Sequence, residues 1–68
     1  MARLGIRQLE KLAAQYTNQG ERVTPINPAN LPNDTDRGWY VSKDGEHIDA
    51  EIYVTRDGRA ARIDFNNA

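Results

Sequence analysis

The 68 residues contain no cysteine, and only one tryptophan, one phenylalanine and one histidine. Without cysteine, neither a disulfide nor a thiolate zinc site can brace the fold. A chain this short buries only about 60 % of the surface that its unfolded form exposes. It must rely on one small core, close to the lower size limit for folding without a staple. No apolar run approaches the ~20 residues of a membrane span. The net charge of −1 leaves no bulk positive charge to drive nucleic-acid binding. Charge is unevenly spread, however. Residues 1–22 carry four basic and two acidic side chains, and residues 23–68 carry five basic and eight acidic ones.

What is present is concentrated in the last thirty residues. Two Asp-Gly pairs, Asp44-Gly45 and Asp57-Gly58, stand between segments of alternating apolar residues. Asp-Gly is a strong signal for a two-residue type I′ hairpin, because that turn needs positive φ at both central residues. With two-residue loops, Lys43 pairs with Glu46, Val41 with Ile48 and Trp39 with Ala50. In the second hairpin Arg56 then pairs with Arg59, Val54 with Ala61, Ile52 with Ile63 and Ala50 with Phe65. This register places Trp39, Val41, Ile48, Ala50, Ile52, Val54, Ala61, Ile63 and Phe65 on one face. A slip of one residue would turn a strand's apolar set to the other side.

Residues 4–18 read as an amphipathic helix, with Ile6, Leu9, Leu12, Ala13 and Tyr16 on one stripe and Gly20 as a C-terminal stop. A helix this short needs a surface to dock on, and the apolar sheet face is the one available. The connection, residues 19–37, holds Pro25, Pro28 and Pro32. Asn27-Pro28 has the pattern of an N-cap followed by proline at the first helical position, and Val23, Ile26 and Leu31 would seal the edge of the core. The expected class is α+β: one N-terminal helix packed on a three-stranded antiparallel β-meander at about 38–66, as a single domain over residues 1–68.

The same register predicts the solvent face of the sheet. Tyr40 falls opposite Asp49, Glu51 opposite Asp64, and Tyr53 opposite Arg62. Like charges facing each other across strands are unfavourable, so Asp49, Glu51 and Asp64, flanked by Tyr40 and Tyr53, read as an acidic contact surface for a protein partner with a basic surface. The plainer reading is a solvated face on which Arg62 neutralises the carboxylates. A second candidate surface is basic: Arg3, Arg7 and Lys11 recur along the helix, and Arg56 and Arg59 face each other across the second turn. Three helix charges fall below the ~6–10 phosphate contacts on which duplex binding usually rests, so direct nucleic-acid binding is not the favoured reading.

Nothing here has the pattern of catalytic machinery. His47 lacks a second ligand at zinc spacing and a nucleophile to activate. Asp34-Thr35-Asp36-Arg37-Gly38 matches only a fragment of a calcium loop, without its distal glutamate. Two carboxylates on an open sheet lack the cleft a glycosidase needs. No cofactor, no metal and no enzymatic activity are expected.

The order helix–strand–strand–strand is similar to the start of a double-stranded-RNA-binding domain, but that family's second helix, with its lysine cluster, has no counterpart among the 68 residues. In general plan, the chain resembles the small phage- or plasmid-encoded inhibitors of the anti-CRISPR kind, the comparison resting on Asp49, Glu51, Asp64, Tyr40 and Tyr53. That resemblance implies a stand-alone protein in the host-cell cytoplasm, a monomer or weak homodimer, that blocks a nucleic-acid-processing complex. The alternatives are a small nucleic-acid-binding module using the basic residues, and an assembly subunit.

Overall fold

In the computed structural model, which describes residues 3–65, one helix, α1 (Ile6–Ala14), packs on a four-stranded antiparallel sheet. The strands are β1 (Arg22–Pro25), β2 (Arg37–Ser42), β3 (Ala50–Val54) and β4 (Ala60–Asp64), and they lie in chain order across the sheet. The α+β class is as expected; the three-stranded meander is not. β1 comes from the proline-containing connection, where Val23 pairs with Val41 and Pro25 with Trp39. All four of its residues are exposed, and an edge strand is where a proline can be accommodated.

α1 is shorter than the periodicity over residues 4–18 predicted. Gly5 is its N-cap, and the Gln8 side chain accepts the Gly5 N–H at 2.9 Å. At the other end the hydrogen bonds tighten: Tyr16 N–H reaches Ala13 O and Thr17 N–H reaches Ala14 O. The Thr17 hydroxyl also donates to Ala13 O, the local competition by which short polar side chains end helices. Gly20 does have positive φ (88°), but it lies beyond that turn.

The core is Leu9 and Ala13 from α1 against Trp39, Val41, Ala50, Ile52 and Val54, with Leu4, Leu12 and Ala60 at its margin. Every strand residue of that set comes from alternate positions of β2 and β3, as period-two burial requires. A second, smaller apolar contact lies on the opposite face. There Ile26 and Leu31, carried by the connection, close with Tyr53 over Gly38, where an added Cβ would come within 2.9 Å of Leu31 and 3.1 Å of Ile26. A 3₁₀ turn at Pro28–Asn30 begins this cover; Asn27 Oδ1 accepts the Ala29 N–H at 3.0 Å. Ile26 is buried, whereas Val23 is 45 % exposed and does not seal an edge.

Both hairpins depart from the expected register. Trp39 pairs with Ile52 and Val41 with Ala50, a shift of two that preserves the faces. Ile48 drops out of the ladder and is largely exposed. In the second hairpin Val54 pairs with Ala60, Ile52 with Arg62 and Ala50 with Asp64. That shift of one turns β4 over. Ala61, Ile63 and Phe65, expected in the core, lie on the outer face, and Arg62 and Asp64 lie on the helix side.

The cause is the turn. Gly58 has φ of 96°, but Asp57 does not share its positive φ, so a type I′ turn is excluded. Thr55 N–H donates to Arg59 O at 2.9 Å and Gly58 N–H to Thr55 O at 3.1 Å. The loop is therefore Arg56-Asp57-Gly58, a type I turn closed by a left-handed glycine bulge. Arg56 sits within the loop and does not face Arg59.

Candidate functional site

Outer-face positions follow from the ladder. Tyr40, Glu51 and Ile63 form one row across β2, β3 and β4, and Gly38, Tyr53 and Ala61 form the next. Just past β4, Phe65 donates its N–H to Asp49 O at 2.9 Å, which extends the register to Phe65 and keeps it on the outer face. Ile63 is 48 % and Phe65 49 % exposed. The result is an apolar and aromatic patch of Tyr40, Tyr53, Ile63 and Phe65, with Glu51 at its centre.

The expected acidic cluster is not assembled as predicted. Glu51 faces Tyr40 and Ile63 instead of Asp64, because β4 is turned over. Asp64, opposite Ala50, lies on the helix side and accepts from Arg62 Nε at 3.0 Å. Asp49 accepts the Lys43 N–H at 2.9 Å and so is held by the first hairpin loop. Tyr40 and Tyr53 lie on the outer face as expected, both half-buried. The Tyr53 hydroxyl donates to Glu51 Oε1 at 2.5 Å. Burial, then that carboxylate, push the phenol up to about 12, so it remains a donor throughout the physiological range. Among the described residues neither Asp49 nor Glu51 pairs with a cation. Arg62, the residue that could have neutralised this face, points the other way.

Arg62 and Glu21 make the contact that sequence reasoning missed. Arg62 Nη1 and Nη2 donate to Glu21 Oε1 and Oε2, both at 2.8 Å, and Nη1 also donates to Tyr16 O at 2.7 Å. The side chains are only 15 % and 3 % exposed. The guanidinium, foremost, holds the Glu21 carboxyl down to about 2, as expected for a bidentate charge-assisted pair. This bridge ties the end of α1 to β4. No local motif announces it, since the partners are 41 positions apart and the apolar alternation of β4 favoured the opposite face.

The basic candidates split up. Arg3, Arg56 and Arg59 line a cleft of about 490 Å³ together with Asp34, Asp36 and Asp57. Arg56 N–H donates to Asp36 Oδ2 at 2.7 Å, and Arg59 pairs with Asp57 at 3.1 Å. Three arginines thus meet three carboxylates. Arg7 and Lys11 are exposed on α1 and do not line that cleft. In the first hairpin, Asp44 organises the loop: Oδ1 accepts from Glu46 N–H and His47 N–H, and Oδ2 lies 2.7 Å from His47 Nδ1. That contact, first among its causes, raises the His47 pKa and lowers that of Asp44.

Among the described residues, no group of three or more His, Asp or Glu side chains could hold a metal ion, and no helix is long and apolar enough to cross a membrane. No family model, no curated protein and no solved structure matches this chain.

Proposed function

We propose that the chain is a non-enzymatic, protein-binding inhibitor that docks its outer sheet face on a larger, basic-surfaced partner, with a nucleic-acid-processing complex as the class of target. One observation carries this reading: Ile63 and Phe65 are about half exposed on a face that also presents two tyrosines and an unneutralised Glu51. Clustered exposed apolar side chains mark contact surfaces, and aromatic anchors around a desolvated centre supply most of the energy of an interface. Glu51 adds selection for a partner cation, and the tyrosine rings offer faces on which an arginine stacks. The working set is therefore Tyr40, Glu51, Tyr53, Ile63 and Phe65, with Asp49 at its rim. Asp64 leaves the proposed surface.

The test compares the parent chain with Ile63→Lys and Glu51→Lys as bait in host lysate. The partner captured is then purified and assayed for nucleic-acid binding with and without the chain. Loss of both capture and inhibition in the two variants supports the face. Unchanged capture by both, with loss in an Arg3→Ala/Arg56→Ala/Arg59→Ala variant, would transfer the function to the arginine cleft. Direct binding of DNA or RNA with a steep salt dependence would replace the reading by a nucleic-acid module.

A further inference from the structure

β4 is an open edge. With Phe65 and Arg59 as partners of β3-side hydrogen bonds, the alternation of the ladder turns the main-chain groups of Ala60, Arg62 and Asp64 away from β3. Among the described residues, none of these groups makes a hydrogen bond outside the sheet. The opposite edge, β1, is four residues long and ends on Pro25, a protected edge of the usual kind. β4 carries no proline, and beside its free edge stand the exposed Ile63 and Phe65.

We propose that β4 pairs with β4 of a second copy of this chain, antiparallel about a two-fold axis at Ile63, to make a continuous eight-stranded sheet. Charge selects the register. An axis at Arg62 would set Arg62 against its own copy, and an axis at Asp64 would do the same to the carboxylates. An axis at Ile63 sets Arg62 opposite Asp64 of the second copy, twice over, so that charges alternate around the centre. On the outer face it stacks Ile63 on Ile63 and places Phe65 against the small Ala61. Asp64 is 55 % exposed at its side chain and has room for a second contact. The dimer would double the Tyr40, Glu51, Tyr53, Ile63 and Phe65 patch into one surface. This pairing stands apart from the proposed target, since it needs only the chain itself.

Sedimentation equilibrium of the full chain from roughly 10 µM to 1 mM should show the mass rising from 7.7 kDa toward twice that value. In the dimer, amide exchange should slow about tenfold or more at Arg62 and Asp64, which are open in the monomer, while Ile63, already bonded to β3, changes little. Asp64→Lys should weaken the association about tenfold, by replacing two attractive cross-strand pairs with repulsive ones. Far-UV circular dichroism should show its fold retained. A chain that stays monomeric across the range overturns the proposal. So does a dimer in which Arg62 and Asp64 exchange as fast as in dilute solution, which would mean stacked faces and not joined edges. A monomeric chain leaves capture of a partner by the outer face untouched, whereas stacked faces would compete with it.

Discussion

Replacing Glu21 by glutamine should cost this protein a large part of its stability, and the cost should disappear in acid. The carboxyl is 3 % exposed and bound through both oxygens to Arg62. It is held at about 2 instead of its ordinary 4.5. At about 1.4 kcal/mol per pH unit, that difference is worth about 3 kcal/mol once the pH exceeds ~5. A domain of this length has about 3–10 kcal/mol in total. The sign follows from proton counting. Between about 2 and 4.5 the unfolded chain holds the proton and the folded chain does not, so stability rises with pH through that window and is flat above it. Glutamine keeps the shape and one acceptor but leaves Arg62, at 15 % exposure, with only the half-exposed Asp64 as a charged partner, the costly way to break a buried pair. Urea unfolding at several pH values should show Glu21→Gln about 2–3 kcal/mol less stable than the parent at pH 7, with the two converging near pH 2. Other carboxylates with lowered pKa, such as Asp57, titrate in both proteins and cancel in the difference. A variant within about 0.5 kcal/mol of the parent at neutral pH, with an unchanged acid slope, would refute the assignment of Arg62 to the helix side.

Gly38→Ala should destabilise by about 1–3 kcal/mol in the same assay, as overpacking does, because the new methyl meets Leu31, Tyr53 and Ile26 at 2.9–3.1 Å. Gly58→Ala should cost about 1–2 kcal/mol by conformation alone, since the space around it is open, and Gly58→Asn should recover part of that loss. An NMR titration should place the His47 midpoint above 6.5, with its Asp44 pairing lost as pH rises through that midpoint, and Asp44→Asn should return it toward the ordinary value.

How far the fold was legible turns on two copies of one dipeptide. Leu9, Leu12 and Ala13 of the helix stripe, the β2 and β3 core positions and the positive φ of Gly45 and Gly58 all follow from local rules, whereas Ile6 and Tyr16, expected on the same stripe, are exposed. Asp-Gly, however, serves two different loops here. At Asp44 the carboxylate gathers the Glu46 and His47 N–H groups and builds a longer loop, shifting the register by an even number and sparing the faces. At Asp57 the carboxylate engages the Thr55 hydroxyl and Arg59 Nε, which favours a three-residue loop and shifts the register by one. Side-chain hydrogen bonding by aspartate competes with the type I′ geometry that the dipeptide otherwise favours. Of the residues of the predicted acidic site, Tyr40, Glu51 and Tyr53 keep their predicted face because they sit on β2 and β3. Asp64 does not, because it sits beyond the odd shift.

The direction of that odd shift bears on function. Turning β4 the other way would bury Ile63 and Phe65 and expose Arg62, the arrangement that area removed from water favours at about 25 cal/mol per Å². The chain instead buries an arginine–glutamate pair, which rarely outdoes well-packed apolar side chains in stability, and leaves two large apolar residues half in water. One residue in a turn is enough to set this choice. Its consequence is a sheet face with two exposed apolar side chains, two tyrosine rings and, at its centre, the Glu51 carboxylate, whose nearby cation has been withdrawn to the far side. A face assembled against the preference of the core supports the proposal that it is a docking surface.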